Sequence, residues 1–211
     1  LHGFLENSTM WFDYAERLSE HYHVIAIDIP GQGESEILAE THTTSLMADT
    51  VDLVLKTENI KSAVFVGHSM GGYVALSFGE RYSEKMRGII MLNSTALADS
   101  EIKKADRDRA IKVLKKNPAV FINEAIPNLF ANENRVKFKN EIELIIVNAL
   151  KSSIEGACSC LRGMKVREDK THLLKSGKFP IHYISGAKDN VIPLEKVKEQ
   201  TALNKNIKLT I

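Results

Sequence analysis

The 211-residue chain predicts an α/β protein, a mostly parallel sheet with helices on both faces and an all-helical insertion. Three observations carry this. Short β-branched runs alternate with segments of helical period, the alternation stops over a long central stretch, and it resumes near the C-terminus. Val24-Ile25-Ala26-Ile27-Asp28-Ile29 reads as a buried strand broken at Pro30-Gly31. Ser45 to Thr57 follows with Met47, Val51, Val54 and Leu55 on one helical face. Ala63-Val64-Phe65-Val66 is a second buried strand, followed by a helix of small and apolar residues from Gly71 to Arg81, and Gly88-Ile89-Ile90-Met91-Leu92 is a third. Strand, helix, strand, helix, strand is the rhythm of a parallel sheet covered by helices.

From about Asp99 to Lys165 no strand pattern appears. Ile102, Ala105, Arg109 and Val113 fall at helical spacing. Phe138, Ile142, Ile145, Ile146, Ala149 and Leu150 do so more closely, and Pro118 and Pro127 punctuate helix starts. About four helices are expected here. The sheet resumes with Pro180 to Ser185, a helix follows Pro193, and Ile207 to Ile211 begins another strand. The implied division is a core over 1–98, a helical segment over 99–170 and the rest of the core over 171–211.

Composition excludes several classes. Hydrophobic residues are 44% and charged residues 26%, an ordinary globular balance. With 28 basic against 27 acidic side chains, there is no electrostatic footprint for nucleic acid. Apolar runs are strand-sized, well short of the roughly 18 residues that span a bilayer. Cys158 and Cys160 are one residue apart and diverge on a helix, so no mutual disulfide is expected, and without a neighbouring His they make a poor zinc site. No metal or cofactor is expected. Two thiols fit a reducing, cytoplasmic setting, although the chain opens at Leu1 rather than Met, so an upstream targeting segment would not be visible.

Gly67-His68-Ser69-Met70-Gly71 matches G-x-S-x-G between a predicted strand and a predicted helix. That context is the setting of a nucleophile elbow. A sharp strand-to-helix turn forces the serine into a strained conformation that only small neighbours tolerate, which accounts for Gly67 and Gly71. It also lifts the hydroxyl above the helix N-terminus, where the Met70 N–H faces any oxyanion forming beside Ser69. A phosphate-binding loop is the competing Gly-rich feature, but G-x-x-x-x-G-K-[ST] is absent.

Four motifs in one order resemble the α/β-hydrolase superfamily: His2-Gly3-Phe4, Asp28 to Ser35 (D-x-x-G-x-G-x-S), the elbow Gly67 to Gly72, and Gly186 to Pro193 (G-x-x-D-x-x-x-P). The resemblance implies Ser69 as nucleophile, the backbone N–H groups of Phe4 and Met70 as oxyanion hole, and Asp189 as the acid that orients an imidazole. It implies a structural turn at Asp28 to Ser35, with Gly31 and Gly33 supplying positive φ. It makes the helical segment a cap that walls off the site.

A serine hydroxyl needs a general base. The family order is Ser, acid, His, and no His follows Asp189. Of the seven histidines, His2 belongs to the oxyanion loop, His21 and His23 lie at the far end of the first strand, and His42 is expected in an exposed loop. His68 is expected to pack or hydrogen-bond beside the site, His172 ends the helical segment, and His182 sits at the wrong end of its strand. The chain therefore reads as cut inside the fold at both ends, with the catalytic His expected beyond Ile211 and these 211 residues alone nearly inactive.

The function expected is hydrolysis of a carboxylic ester with a small or medium acyl group, a small-molecule substrate, through an acyl-enzyme on Ser69. Phe121, Ile126, Leu129 and Phe130 line the pocket or fill the cap's own core. A same-fold alternative is C–C bond hydrolysis, haloperoxidase or menaquinone-pathway lyase chemistry. The lyase and C–C readings gain if Arg107, Arg109, Arg135 or Arg162 holds a substrate carboxylate, but each also reads as a solvated helix-face charge. A third alternative, from another class, is a non-catalytic binding protein.

Overall fold

The computed structural model describes residues 1–211. A 3-10 turn at Ser8–Trp11 leads into α1 (Phe12–Leu18), followed by α2 (Thr44–Thr57), β1 (Ala63–His68), α3 (Met70–Arg81) and β2 (Met86–Leu92). Then come α4 (Glu101–Lys116), α5 (Pro118–Ala125), α6 (Lys139–Ala149), α7 (Ile154–Lys165) and α8 (Thr171–Ser176). β3 (Ile181–Ile184), α9 (Leu194–Thr201) and β4 (Lys208–Thr210) complete the chain. The four strands pair in parallel in the order β1-β2-β3-β4. This is a parallel sheet flanked by helices, the α/β class expected.

Register aligns Phe65 with Ile89 and Ile181, and Gly67 with Met91 and Tyr183. These residues are buried on the face that α3 covers, where the rings of Phe65 and Phe78 lie 4.5 Å apart. The other face is more open, and Val64 there is 59% exposed. In α2, Met47, Ala48, Val51 and Leu55 are buried at i, i+4 and i+8 spacing, and Thr43 caps its N-terminus through Oγ1 to the Leu46 N–H at 3.1 Å.

The segment Val24 to Ile29 forms no strand. It is mostly half-buried, and Leu1–Gly3 lies between it and β1. Leu1 O accepts from the His68 N–H (3.0 Å), and the His2 imidazole accepts the Ile29 N–H (2.9 Å). The residues have the composition of a strand, but here a side chain rather than a ladder joins them to the Leu1–Gly3 segment.

Between β2 and β3 the chain holds helices and no strand, with short 3-10 turns at Pro127–Leu129 and Asn132–Asn134. Side-chain caps start three of these helices: Ser100 for α4, Asn117 with Pro118 at N1 for α5, and Ser153 for α7. Asp99, fully buried at its carboxylate, sits 2.7 Å from Arg167 Nη1 and 3.1 Å from Arg107 Nε, tying the start of this segment to its end. Cys158 and Cys160 are free and buried in α7, and burial pushes the Cys160 thiol up to about 12. No single helix is long and apolar enough to cross a membrane.

Candidate active site

Ser69 lies between the last residue of β1 and the first of α3, at φ 48° and ψ −113°. A non-glycine residue pays roughly 1–3 kcal/mol for such a conformation, so the surroundings must enforce it. They do so through the backbone: the Ser69 N–H donates to Leu92 O (3.0 Å), and Ser69 O accepts from Ser94 Oγ (2.7 Å) and the Gly72 N–H (3.0 Å). A Cβ on Gly67 would sit 2.6 Å from the Gly71 carbonyl, and one on Gly71 would run into Leu1 O. The glycines are there because the turn brings backbone against backbone. The Met70 N–H opens α3 and donates to no protein acceptor, and neither does the Phe4 N–H.

The loop holding Phe4 is braced from the Asp28 to Ser35 turn. Asp28 accepts the Ser8 and Glu34 N–H groups at 2.6 and 2.9 Å, and Gln32 Oε1 accepts the Leu5 N–H at 2.7 Å. Gly31 and Gly33 both have positive φ, at 75° and 57°. His2 is fully buried and structural: its Nδ1 donates to Gly3 O (2.8 Å), and burial lowers its pKa.

Asp189 lies in the loop after β3, so it shares the carboxyl end of the sheet with Ser69, where ligands bind in such folds. Its Oδ1 accepts the Val191 and Ile192 N–H groups, each at 2.8 Å, which leaves Oδ2 without a protein partner. The neighbouring Gly186 N–H donates to Asn93 Oδ1 (3.1 Å), and Asn190 Nδ2 reaches Phe130 O (3.1 Å) in the helical segment.

No histidine hydrogen-bonds Asp189. His21 and His23 are exposed, His172 pairs with Glu80 (2.9 Å), and His182 bonds Thr210 Oγ1 (2.9 Å). His42, expected to be exposed, is fully buried. Its Nε2 accepts the Leu38 and Ala39 N–H groups (3.1 and 3.3 Å), so it staples its own loop under α7. Sequence reasoning saw a loop there but not the helix that covers it. His68 donates from Nδ1 to Glu6 (2.9 Å), a partner 62 residues away that no motif spacing announces.

Of the pocket candidates, Ile126 belongs to the core at 2% exposure, whereas Leu129 is 45% exposed. The arginines are engaged: Arg107 on Asp99, Arg109 on Asp106, Arg135 on Asn128 and Arg162 on Glu40.

A strained serine at a strand-to-helix turn, an unpaired N–H at Met70 beside it and another at Phe4, and an aspartate-bearing loop at the same sheet end define a hydrolase architecture. The family model for the alpha/beta hydrolase fold matches residues 1–124, and the chain belongs to the α/β-hydrolase family. It is 27% identical, over all of its length and 83% of the relative's, to a pimeloyl-[acyl-carrier protein] methyl ester esterase of Pseudoalteromonas atlantica. A 3-oxoadipate enol-lactonase 1 of Acinetobacter baylyi is 28% identical over 86% of this chain and 67% of its own. Among solved structures, a thermophilic esterase from Thermogutta terrifontis superposes with a TM-score of 0.92 at 30% identity, covering 99% of this chain and 77% of the other. The chain is a hydrolase of this family.

Proposed function

We propose that the protein hydrolyses carboxylic esters of small or medium acyl substrates through an acyl-enzyme on Ser69. The observation that carries this reading is the Ser69 backbone at φ 48°, held by Leu92, Ser94 and Gly72, since a binding protein has no use for a strained serine. Ser69 Oγ attacks the ester carbonyl. The Phe4 and Met70 N–H groups receive the oxyanion, a contribution of about 10²–10³ in kcat per donor. Asp189, with Oδ2 free, orients the imidazole that takes the serine proton and stabilises its charged form. Water then releases the acid. The helical segment between β2 and β3 acts as the cap, and Asn190 couples it to the acid loop.

Arg107 and Arg109 are paired with Asp99 and Asp106, so those two residues give little support to the carboxylate-binding alternatives. Names among the relatives, an acyl-carrier-protein methyl ester esterase and an enol-lactonase, are consistent with an ester or lactone carbonyl as the reacting group.

The test is labelling by a fluorophosphonate probe, located by mass spectrometry, together with a panel of acyl p-nitrophenyl esters on the protein as its gene encodes it. Labelling at Ser69 and loss of hydrolysis in Ser69→Ala are expected. Hydrolysis that survives Ser69→Ala sinks the assignment. The 211 residues alone hold no histidine on Asp189, so on their own they are expected to show only the residual activity of an incomplete triad, roughly 10³–10⁴-fold over water.

A further inference from the structure

The oxyanion donors come from two distant parts of the chain, the loop at Phe4 and the elbow at Met70. Such a pair works only if its spacing is held to within about 0.5 Å. One side chain touches both parts. Glu6 Oε2 accepts the Gly3 N–H at 2.5 Å and His68 Nδ1–H at 2.9 Å. Gly3 precedes Phe4 and His68 precedes Ser69, so a single carboxylate oxygen bridges the loop to the elbow. The three groups are close-packed: a Cβ on Gly3 would lie 2.7 Å from Glu6 Oε2 and 2.9 Å from His68 Nδ1.

We propose that Glu6 is a positioning residue that locks the two halves of the oxyanion hole to each other, with His68 as its counter-charge. This rests on the reading of Ser69 as nucleophile. Any slide of the loop past the elbow stretches one of the two bonds to Glu6. The charges also matter. A lone carboxylate two residues from Phe4 would repel the developing negative charge, and the His68 imidazolium cancels it.

The surroundings keep the pair ionised. Burial works to raise the Glu6 carboxyl, but the charge and hydrogen bond of His68 and the Gly3 N–H outweigh it and hold Glu6 below its ordinary value. Burial likewise works to lower His68, but Glu6 and the charge of Asp189 outweigh it and raise it.

The experiment measures kcat and KM against pH on one acyl ester for the protein as its gene encodes it, with Ser69→Ala, Glu6→Ala and Glu6→Gln. Glu6→Ala is expected to lower kcat about 100-fold, the scale of one oxyanion donor, with KM within about 2-fold. Glu6→Gln still offers an oxygen to the Gly3 N–H and is expected to recover most of that loss. In the wild type kcat falls as His68 deprotonates and leaves Glu6 unbalanced, and this basic limb disappears in Glu6→Gln. A folded Glu6→Ala with wild-type kcat overturns the proposal, as does a Glu6→Gln no better than Glu6→Ala. Hydrolysis that persists in Ser69→Ala overturns the nucleophile reading itself, whatever Glu6 does, and the Glu6 proposal falls with it. If Glu6→Ala does not fold, Glu6→Gln and a ¹⁵N NMR titration of His68 in the wild type decide. A midpoint above the ordinary 6.5 is expected, and one at or below it overturns the pairing.

Discussion

Around Ser69 the chain is pinned by backbone against backbone, whereas around Asp189 it is held by side chains reaching to backbone. At the elbow, Gly67 and Gly71 sit in contacts with no room for an added carbon, and the Ser69 conformation is strained. At the acid loop, Asp189 Oδ1 caps two N–H groups and Asn93 and Asn190 brace the flanks. A Cβ on Gly186 would find nothing nearer than 3.9 Å. In the proposed mechanism Ser69 needs one orientation at one point, and a packed backbone gives that, whereas Asp189 has only to present a free carboxylate oxygen, which a local turn achieves.

The difference can be broken from either side. The largest effect is expected at the acid. Asp189→Asn keeps an oxygen for the Val191 and Ile192 N–H groups but loses the charge, so kcat should fall about 10⁴-fold while the melting temperature barely moves. A comparable loss of stability would show that the loop depends on the charge after all. Next comes Gly67→Ala, whose Cβ meets backbone that cannot step aside. It is expected to cost about 3 kcal/mol in urea denaturation, at the upper end for overpacking. The paired Gly186→Ala should change stability by no more than about 0.5 kcal/mol. Equal costs at the two glycines would erase the contrast.

The pH dependence of the elbow side is smaller. Glu6, lowered in the folded state, contributes stability present above its ordinary 4.5 and lost as pH falls through its folded value. His68, raised, contributes stability present below its ordinary 6.5 and lost as pH rises through its folded value. The stability gap between wild type and Glu6→Gln should therefore be widest between about 4.5 and 6.5, reaching about 1–2 kcal/mol, and should narrow on both sides. A gap flat with pH would mean that the pair is not ionised. The smallest effect is expected from Asn190→Ala, about 0.5–1 kcal/mol, read as greater proteolytic nicking where the acid loop meets the helical segment.

Much of the fold was legible because its signals are local. β-branched or apolar runs gave β1, β2, β3 and β4, the helical period gave α2 and α6, and a run of small and apolar residues gave α3. The elbow was legible because its steric demand selects glycines at fixed offsets from Ser69. Val24 to Ile29 has the composition of a strand but pairs in no ladder of the structure. His42 misled because the chain around it is a loop, and its burial comes from α7, more than 110 residues later.

The sequence by itself determined the α/β class, the family, the position of Ser69 and the Asp189 turn, because each depends on residues within a few positions of one another. Only the tertiary structure decided that Glu6 joins His68 and Gly3, that Gln200 Oε1 takes the Ala96 N–H and Thr95 hydroxyl (2.7 and 3.0 Å), and that Asp99 is neutralised by Arg107 and Arg167. These are contacts between buried polar groups far apart in the chain. Burial forces each to find a partner, but the partner's identity depends on how the elements pack, which spacing along the sequence does not encode.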